Sequence, residues 1–577
     1  MLEAIRRVWG ESLIAAFLSG LMRAWRDLLG GSFLWRWLTS PLPAPRDWWG
    51  ASALGWLVAT ARNRVAAGWA EVDPRGVVPR AAGVAAAWGL VVTAFLVALV
   101  PFRRQIGPIP VTVEVLLIPL VTVAWLVHWA LRPAAEPAAP GRERPVRSLT
   151  GLPLTAFDLP FALYLTILAV SLLNARSLVE GFQTLARQAS FFVLFYMTVD
   201  LVRGRRRLGH WIIDAMLAGG LLVALIGLVQ YALGVDLTVS GLAGAGAGAI
   251  RGRVGSTQEN PNFLSEYLIL LIPVALGRLL GTLRGSVGEQ QPRGAAGAER
   301  EEGTGGGVGG GAAAQGAPAA PRPWRRAFYV ATIVAMLAAE FLTYTRGGWL
   351  GLALAVAVFV LLVDSRYLVV VAAAGAAAVF LIPGMLERLA GLLDFSEGSG
   401  AFRLNLYRAA LVMWSRSPWL GVGAGNYLAY YPDVIRDYPL LDQRFATYSS
   451  HNAFLTVAAE TGLLGLLVFL VIVLLALRAA FAGWRHGAGP GDRLLFLGAG
   501  CGMIAFLVQS LSNITFFHPR VVLYYWLLLA VLVVLSPGRA PLGPLPPAGE
   551  GRAQTRGGAR GEEAGAGEPR EVRIGAL

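Results

Sequence analysis

Apolar runs of about 20 residues recur along most of this chain, each long enough, at roughly 1.5 Å of rise per residue, to cross the roughly 30 Å hydrocarbon layer of a bilayer. Inside that layer no water pairs with the backbone, so such runs fold as helices or close into a barrel. Their apolarity is continuous rather than alternating, which selects helices. The pattern predicts an all-α, polytopic transmembrane helical bundle of about twelve spans, near 82–102, 108–131, 154–174, 188–202, 211–233, 262–283, 327–345, 347–363, 367–383, 452–477, 494–514 and 520–536. Only Arg346 and Gly347 separate the seventh from the eighth, which read as a tight hairpin or as one broken helix. Composition agrees, with 56% of 577 residues hydrophobic and 15% charged, outside the usual range of soluble domains.

Positively charged loops stay on the cytoplasmic side of a membrane, so arginines report topology. The chain has no lysine, and a cytoplasmic N-terminus places 35 of its 49 arginines in cytoplasmic segments. Arg203-Gly-Arg-Arg-Arg207 and Arg322-Pro-Trp-Arg325-Arg326 are the strongest anchors. Both termini are therefore expected in the cytoplasm. Residues 1–80 read as a cytoplasmic and interfacial segment without a signal-peptide pattern, its tryptophans suited to the membrane surface. Residues 81–536 form the membrane domain, interrupted by a disordered cytoplasmic loop at 285–323 and a large extracytoplasmic loop at 384–450, between spans nine and ten. A disordered tail, 537–577, follows. The net charge of +14 would point to nucleic acid in a soluble protein, but here the arginines flank apolar segments, as anionic lipid headgroups require. Nucleic acid is excluded as a partner. The single cysteine, Cys501, lies in an apolar segment, so neither an intrachain disulfide nor a thiolate cluster can form.

That topology sends most of the unusual polar residues to the outer face. Arg251, Arg253, Asn260 and Asn262 precede the sixth span, Arg346 sits between the seventh and eighth, and Arg403 and His451 lie in or beside the large loop. Arginines outside run against the orientation rule, and several guanidinium forks at one face suit phosphate oxygens. Any one of them alone reads better as pairing with lipid phosphate or with Asp433, Asp437 and Asp442. Gly421, Gly423 and Gly425 permit positive φ and close approach to a ligand, and read as structural support for the site. His451, at the start of the tenth span, reads equally well as a catalytic base or as part of a helix cap, with Asn452 beside it. Glu460 lies about 13 Å further along that helix, where an acid needs a partner; with Gly462 it reads as support for the site. Asp158, Asp214, Glu266 and Glu340 line a cavity or lock helices, and His518-Pro519 reads as an interfacial turn. No metal-ligand spacing, Walker loop or nucleophile elbow appears, so neither metal nor cofactor is expected.

Several separated motifs together resemble the bacterial O-antigen ligase and polymerase superfamily over about residues 150–535. Arg253-Val-Gly-Ser256 with Asn260-Pro-Asn262, Thr345-Arg346-Gly347-Gly348-Trp349-Leu350-Gly351, Pro418-Trp-Leu-Gly-Val-Gly-Ala-Gly425-Asn426 and His451-Asn452 through Gly462 carry the likeness. The resemblance implies a metal-independent membrane glycosyltransferase moving a glycan from undecaprenyl diphosphate to a glycan, lipid or protein acceptor outside the cytoplasm, with inversion. It implies that Arg253, Arg346 and Arg403 hold the diphosphate and that His451 handles the acceptor hydroxyl; Arg251, Asn260, Asn262 and Asn452 are expected to bind substrate beside them. Where the family has an arginine followed four positions later by leucine, Arg403 is followed by Tyr407, so Arg408 competes with it. Ligase and polymerase stay open, and a lipid-linked oligosaccharide transporter is the alternative of another class.

Overall fold

A computed structural model describes residues 20, 30–45, 47, 52–101, 103–106, 109–132, 150–234, 253–258, 260–288, 323–381, 398–442 and 449–536. Arg251, most of the loop expected to be disordered at 285–323, and the tail from 537 lie outside them. The chain opens with α1 (Phe33–Leu38), α2 (Ala53–Val72) and α3 (Val77–Leu96), then a two-stranded antiparallel hairpin, β1 (Arg103–Ile106) and β2 (Ile109–Thr112). There follow α4 (Val113–Leu131), α5 (Asp158–Ser171), α6 (Leu178–Val202), α7 (Arg206–Leu233), α8 (Pro261–Gly288), α9 (Pro323–Leu342), α10 (Arg346–Val363) and α11 (Tyr367–Leu381). After them come α12 (Gly398–Arg416), α13 (Tyr427–Asp437), α14 (Ala453–His486), α15 (Pro490–Ser510) and α16 (Pro519–Leu535).

Each of the twelve expected spans overlaps one of these helices, and among the described residues eight helices are long and apolar enough to cross a membrane. The others fall short for visible reasons. Helices α5, α11 and α16 are shorter, and α9 carries Arg325, Arg326 and Glu340 within its 20 residues. Boundaries differ where polar residues sit on a helix: the fourth element begins at Leu178 rather than 188, capped by Ser177, and α14 runs on to His486 rather than 477. The pair around Arg346 is two helices parted by a turn, each packed on α8. The expected outer loop is largely structured, since α12 and α13 fall within it.

The centre is a close pairing of α8 with α15. A methyl group on Gly498 or Gly502 would overlap the carbonyl of Pro273 or Leu270 on α8, and one on Gly277 that of Leu494 on α15. Small residues one turn apart let the two backbones touch, the main source of helix association where lipid is as apolar as the side chains. The acids within the spans lock helices, and Asp214 also lines a cavity. Asp214 of α7 accepts a fork from Arg278 of α8 at 2.7 and 2.8 Å and the Tyr329 hydroxyl of α9 at 2.9 Å. Asp158 accepts from Tyr196 at 2.7 Å. At the far end of α14, Trp35 of α1 packs on Phe481 and Trp484, and Arg478 donates to the Pro41 carbonyl at 2.6 Å.

Candidate functional site

Glycine first. Helix α14 breaks at Gly462, whose φ of 67° and ψ of −167° are open only to a residue without a side chain. A break leaves backbone groups on both sides unpaired, and in a bilayer each must find a partner. The turn 418–425 supplies them. Val422 N–H donates to the Ala459 carbonyl at 2.8 Å and Gly423 N–H to that of Glu460 at 3.0 Å, while Leu463 N–H donates to the Pro418 carbonyl at 2.8 Å. The Glu460 carboxylate closes the splice, accepting from Gly425 N–H at 2.9 Å and Tyr427 N–H at 3.3 Å. Gly421, Gly423 and Gly425 all have positive φ, and a methyl group on Gly421 would overlap the backbone of Glu460 and Thr461. Gly421 lies against the broken helix itself, and Gly423 and Gly425 against Ala175 and the Glu180 carbonyl, because the orphan groups at the break need a backbone that fits closely.

The splice fixes α12 and α13 against the N-terminal half of α14. Asn174 ties the same turn to the end of α5, donating to the Gly421 carbonyl at 2.9 Å, and Asn426 exchanges bonds with Ser177 at 2.7 and 3.1 Å. On α12, Arg403 is half-buried, and it makes no hydrogen bond or ion pair among the described residues. Its guanidinium is held below the usual arginine range by burial and by the Arg346 charge, with Tyr407 opposing. Arg408 is exposed, a different face of the same helix. Two cations at one half-buried place, from α10 and α12, are a site that an anion would stabilise.

Arg253 belongs to the same end but is already engaged. It donates to the Thr343 carbonyl at 2.6 Å, to Asn262 at 3.1 Å and to Thr345 at 3.0 Å, clamping the α9–α10 turn to the start of α8. Asn260 accepts from Asn262 N–H at 2.8 Å, which starts α8. The Asn452 amide is also engaged at both ends: it caps α14, accepting from Leu455 N–H at 3.0 Å, and donates to the Leu511 carbonyl at 3.0 Å.

With Asn452 in the cap, His451 is outside it. Its backbone is left-handed, with φ 53°, and its ring meets Phe402 of α12 edge-on at 5.9 Å. The Nδ1 atom is buried, with no hydrogen-bond partner among the described residues. Burial, then the Arg403 charge, lower the imidazole to about 4, against a smaller opposing effect of Asn513. The ring is neutral at physiological pH. A neutral imidazole beside a guanidinium group can take a proton from a neighbouring hydroxyl.

The hub that joins these parts, residues 509–518, had no place in the sequence-based site. Gln509 donates to the Asn262 carbonyl at 3.2 Å, and the Leu511 carbonyl accepts both Asn452 and the Tyr407 hydroxyl, the latter at 2.8 Å. Asn513 donates to Glu266 of α8 at 2.5 Å, and the other Glu266 oxygen meets His518 Nδ1 at 2.7 Å. The reading of His518 as an interfacial turn is corrected, since it is 8% exposed against a Glu266 that is 0% exposed. Two ionisable residues in apolar surroundings were the available signal. A family model described as O-Antigen ligase matches residues 331–470, about a quarter of the chain. That stretch holds Arg346, Arg403, His451 and the whole glycine splice; Arg253, Asn260 and Asn262 precede it. No curated protein sequence matches the chain.

Proposed function

The chain belongs to the O-antigen ligase-related family, and from that footing we propose that it is a membrane glycosyltransferase. It takes a glycan from an undecaprenyl-diphosphate carrier and passes it to a hydroxyl of a glycan, lipid or protein acceptor on the extracytoplasmic side of a bacterial cell membrane. In this reading the acceptor oxygen forms a bond to the anomeric carbon while the bond from that carbon to the diphosphate oxygen breaks. The electron pair leaves with the lipid diphosphate, and the hydroxyl proton passes to His451. Arg346 and Arg403 stabilise the charge that grows on the leaving group. Arg253, Asn262, Asn452, Glu460 and the glycine splice hold those three groups in place.

One observation carries the reading: Arg346, Arg403 and His451 lie on three different helices or their ends, yet interact through their charges at one end of the bundle. A transporter would need matching groups along a path to the other leaflet. The test uses purified protein in vesicles loaded with a lipid-diphosphate oligosaccharide and an acceptor pool, with mass spectrometry of the products. Formation of a new glycosidic bond by the wild type and its loss in His451→Ala support the proposal. Movement of intact donor between leaflets without bond formation would establish the transporter instead.

A further inference from the structure

Two adjoining cavities lie at the opposite end of α7 from the site above. The Val223 carbonyl of α7 accepts from Ser256, next to Arg253, whereas Arg207 is about 24 Å away along the helix. The first cavity, about 360 Å³, is walled by His210, Asp214, Arg278, Arg325 and Asp492. Its charges already neutralise one another: Asp214 takes Arg278 and Arg325, and Asp492 lies 3.2 Å from Arg206 and 3.6 Å from His210. The second, about 560 Å³, shares Arg207 and Trp211 with the first. It is otherwise a largely apolar groove along Val84, Ala87 and Trp88 under a rim of arginines.

That rim is unlike the first cavity. The side chains of Arg205 and Arg207 are exposed and make no hydrogen bond or ion pair among the described residues. Below them, Trp88 and Trp211 stack at 5.5 Å and 19°, and both remain about half exposed, at 54% and 48%. Stacked indole rings beneath exposed guanidinium groups at the start of α7 match the boundary between hydrocarbon and headgroups. We propose that this groove binds one anionic phospholipid, with its phosphate between Arg205 and Arg207 and an acyl chain along Val84, Ala87 and Trp88. The inference stands apart from the glycosyltransfer proposal and uses none of its residues.

The test places the purified full-length protein in phosphatidylcholine nanodiscs and titrates in phosphatidylglycerol, with native mass spectrometry counting retained lipid. The wild type is expected to retain one phosphatidylglycerol in preference to phosphatidylcholine. Arg205→Ala with Arg207→Ala should bind it about twentyfold more weakly, from about fivefold per guanidinium near the surface. Arg205→Lys with Arg207→Lys should restore most of the affinity, and Trp88→Ala should weaken binding without removing the preference for negative charge. Equal retention by the wild type and the double alanine variant overturns the proposal. So does full competition by inorganic phosphate, which would make this a simple anion site, or by undecaprenyl diphosphate, which would make it a port for the donor.

Discussion

Replacing Gly462 with alanine forces a choice between two losses. The native φ of 67° and ψ of −167° lie where a residue with a Cβ is strained, at about 1–3 kcal/mol. The new methyl group would also overlap the Trp419 carbonyl, backbone that cannot swing aside as a side chain can. Relief requires pushing the 418–425 turn off the helix, which gives up the bonds from Val422, Gly423 and Leu463 at 2.8–3.0 Å and those to Glu460. At about 1 kcal/mol each, these bonds come to about 5 kcal/mol, so that route costs no less than accepting the strain and overlap. Either way the variant should be less stable by roughly 3–5 kcal/mol, the sum of strain and overlap. Equilibrium unfolding in mixed micelles, without substrate, measures this. Gly68→Ala, at a helical position with nothing within 4 Å of the added methyl, is the control and should gain about 0.5–1 kcal/mol. A Gly462→Ala protein as stable as the wild type but weaker in donor binding would refute the splice and restore the glycines as ligand contacts.

Two further outcomes follow from the buried groups at the site. His451 acts in its neutral form and is held at about 4, so lowering the pH through that value charges the ring and removes the proton acceptor. The acid limb of kcat/KM is therefore expected near pH 4, falling about tenfold per unit below it. Bound diphosphate favours the charged ring, so the limb of kcat should lie higher; rates independent of pH down to 3 would contradict the assignment. Glu266→Ala leaves Asn513 and His518 without their shared acceptor, at a cost of roughly 2–4 kcal/mol. It should also lower kcat, because Asn513 borders His451. Loss of less than 0.5 kcal/mol would show that the pair carries no such burden.

The bundle was legible because a bilayer imposes a length and an apolarity that any window of sequence displays, and His451 and Asn452 fell at a helix start as their types suggested. What the glycines approach was not legible. Gly421 announces positive φ but not its partner, which is the interior of a helix broken some 40 residues later at Gly462, and Gly423 lies against Ala175. His518 was misread for the same reason: its burial depends on Glu266, 252 positions away. Asn452 looked like a contact for substrate, yet both ends of its amide serve the fold. Arginine type alone could not separate Arg253, locked into a turn, from Arg403, which has no hydrogen bond or ion pair among the described residues.

The central claim is that Arg346 and Arg403 serve one diphosphate, and a double-mutant cycle on donor affinity tests it. Undecaprenyl diphosphate binding is measured by calorimetry in nanodiscs for the wild type, Arg346→Ala, Arg403→Ala and the double variant. Each single change is expected to weaken binding by about tenfold or more, with a coupling energy above about 0.5 kcal/mol because both act on a shared ligand. Unchanged affinity in either single variant, or strictly additive losses, would contradict a common site.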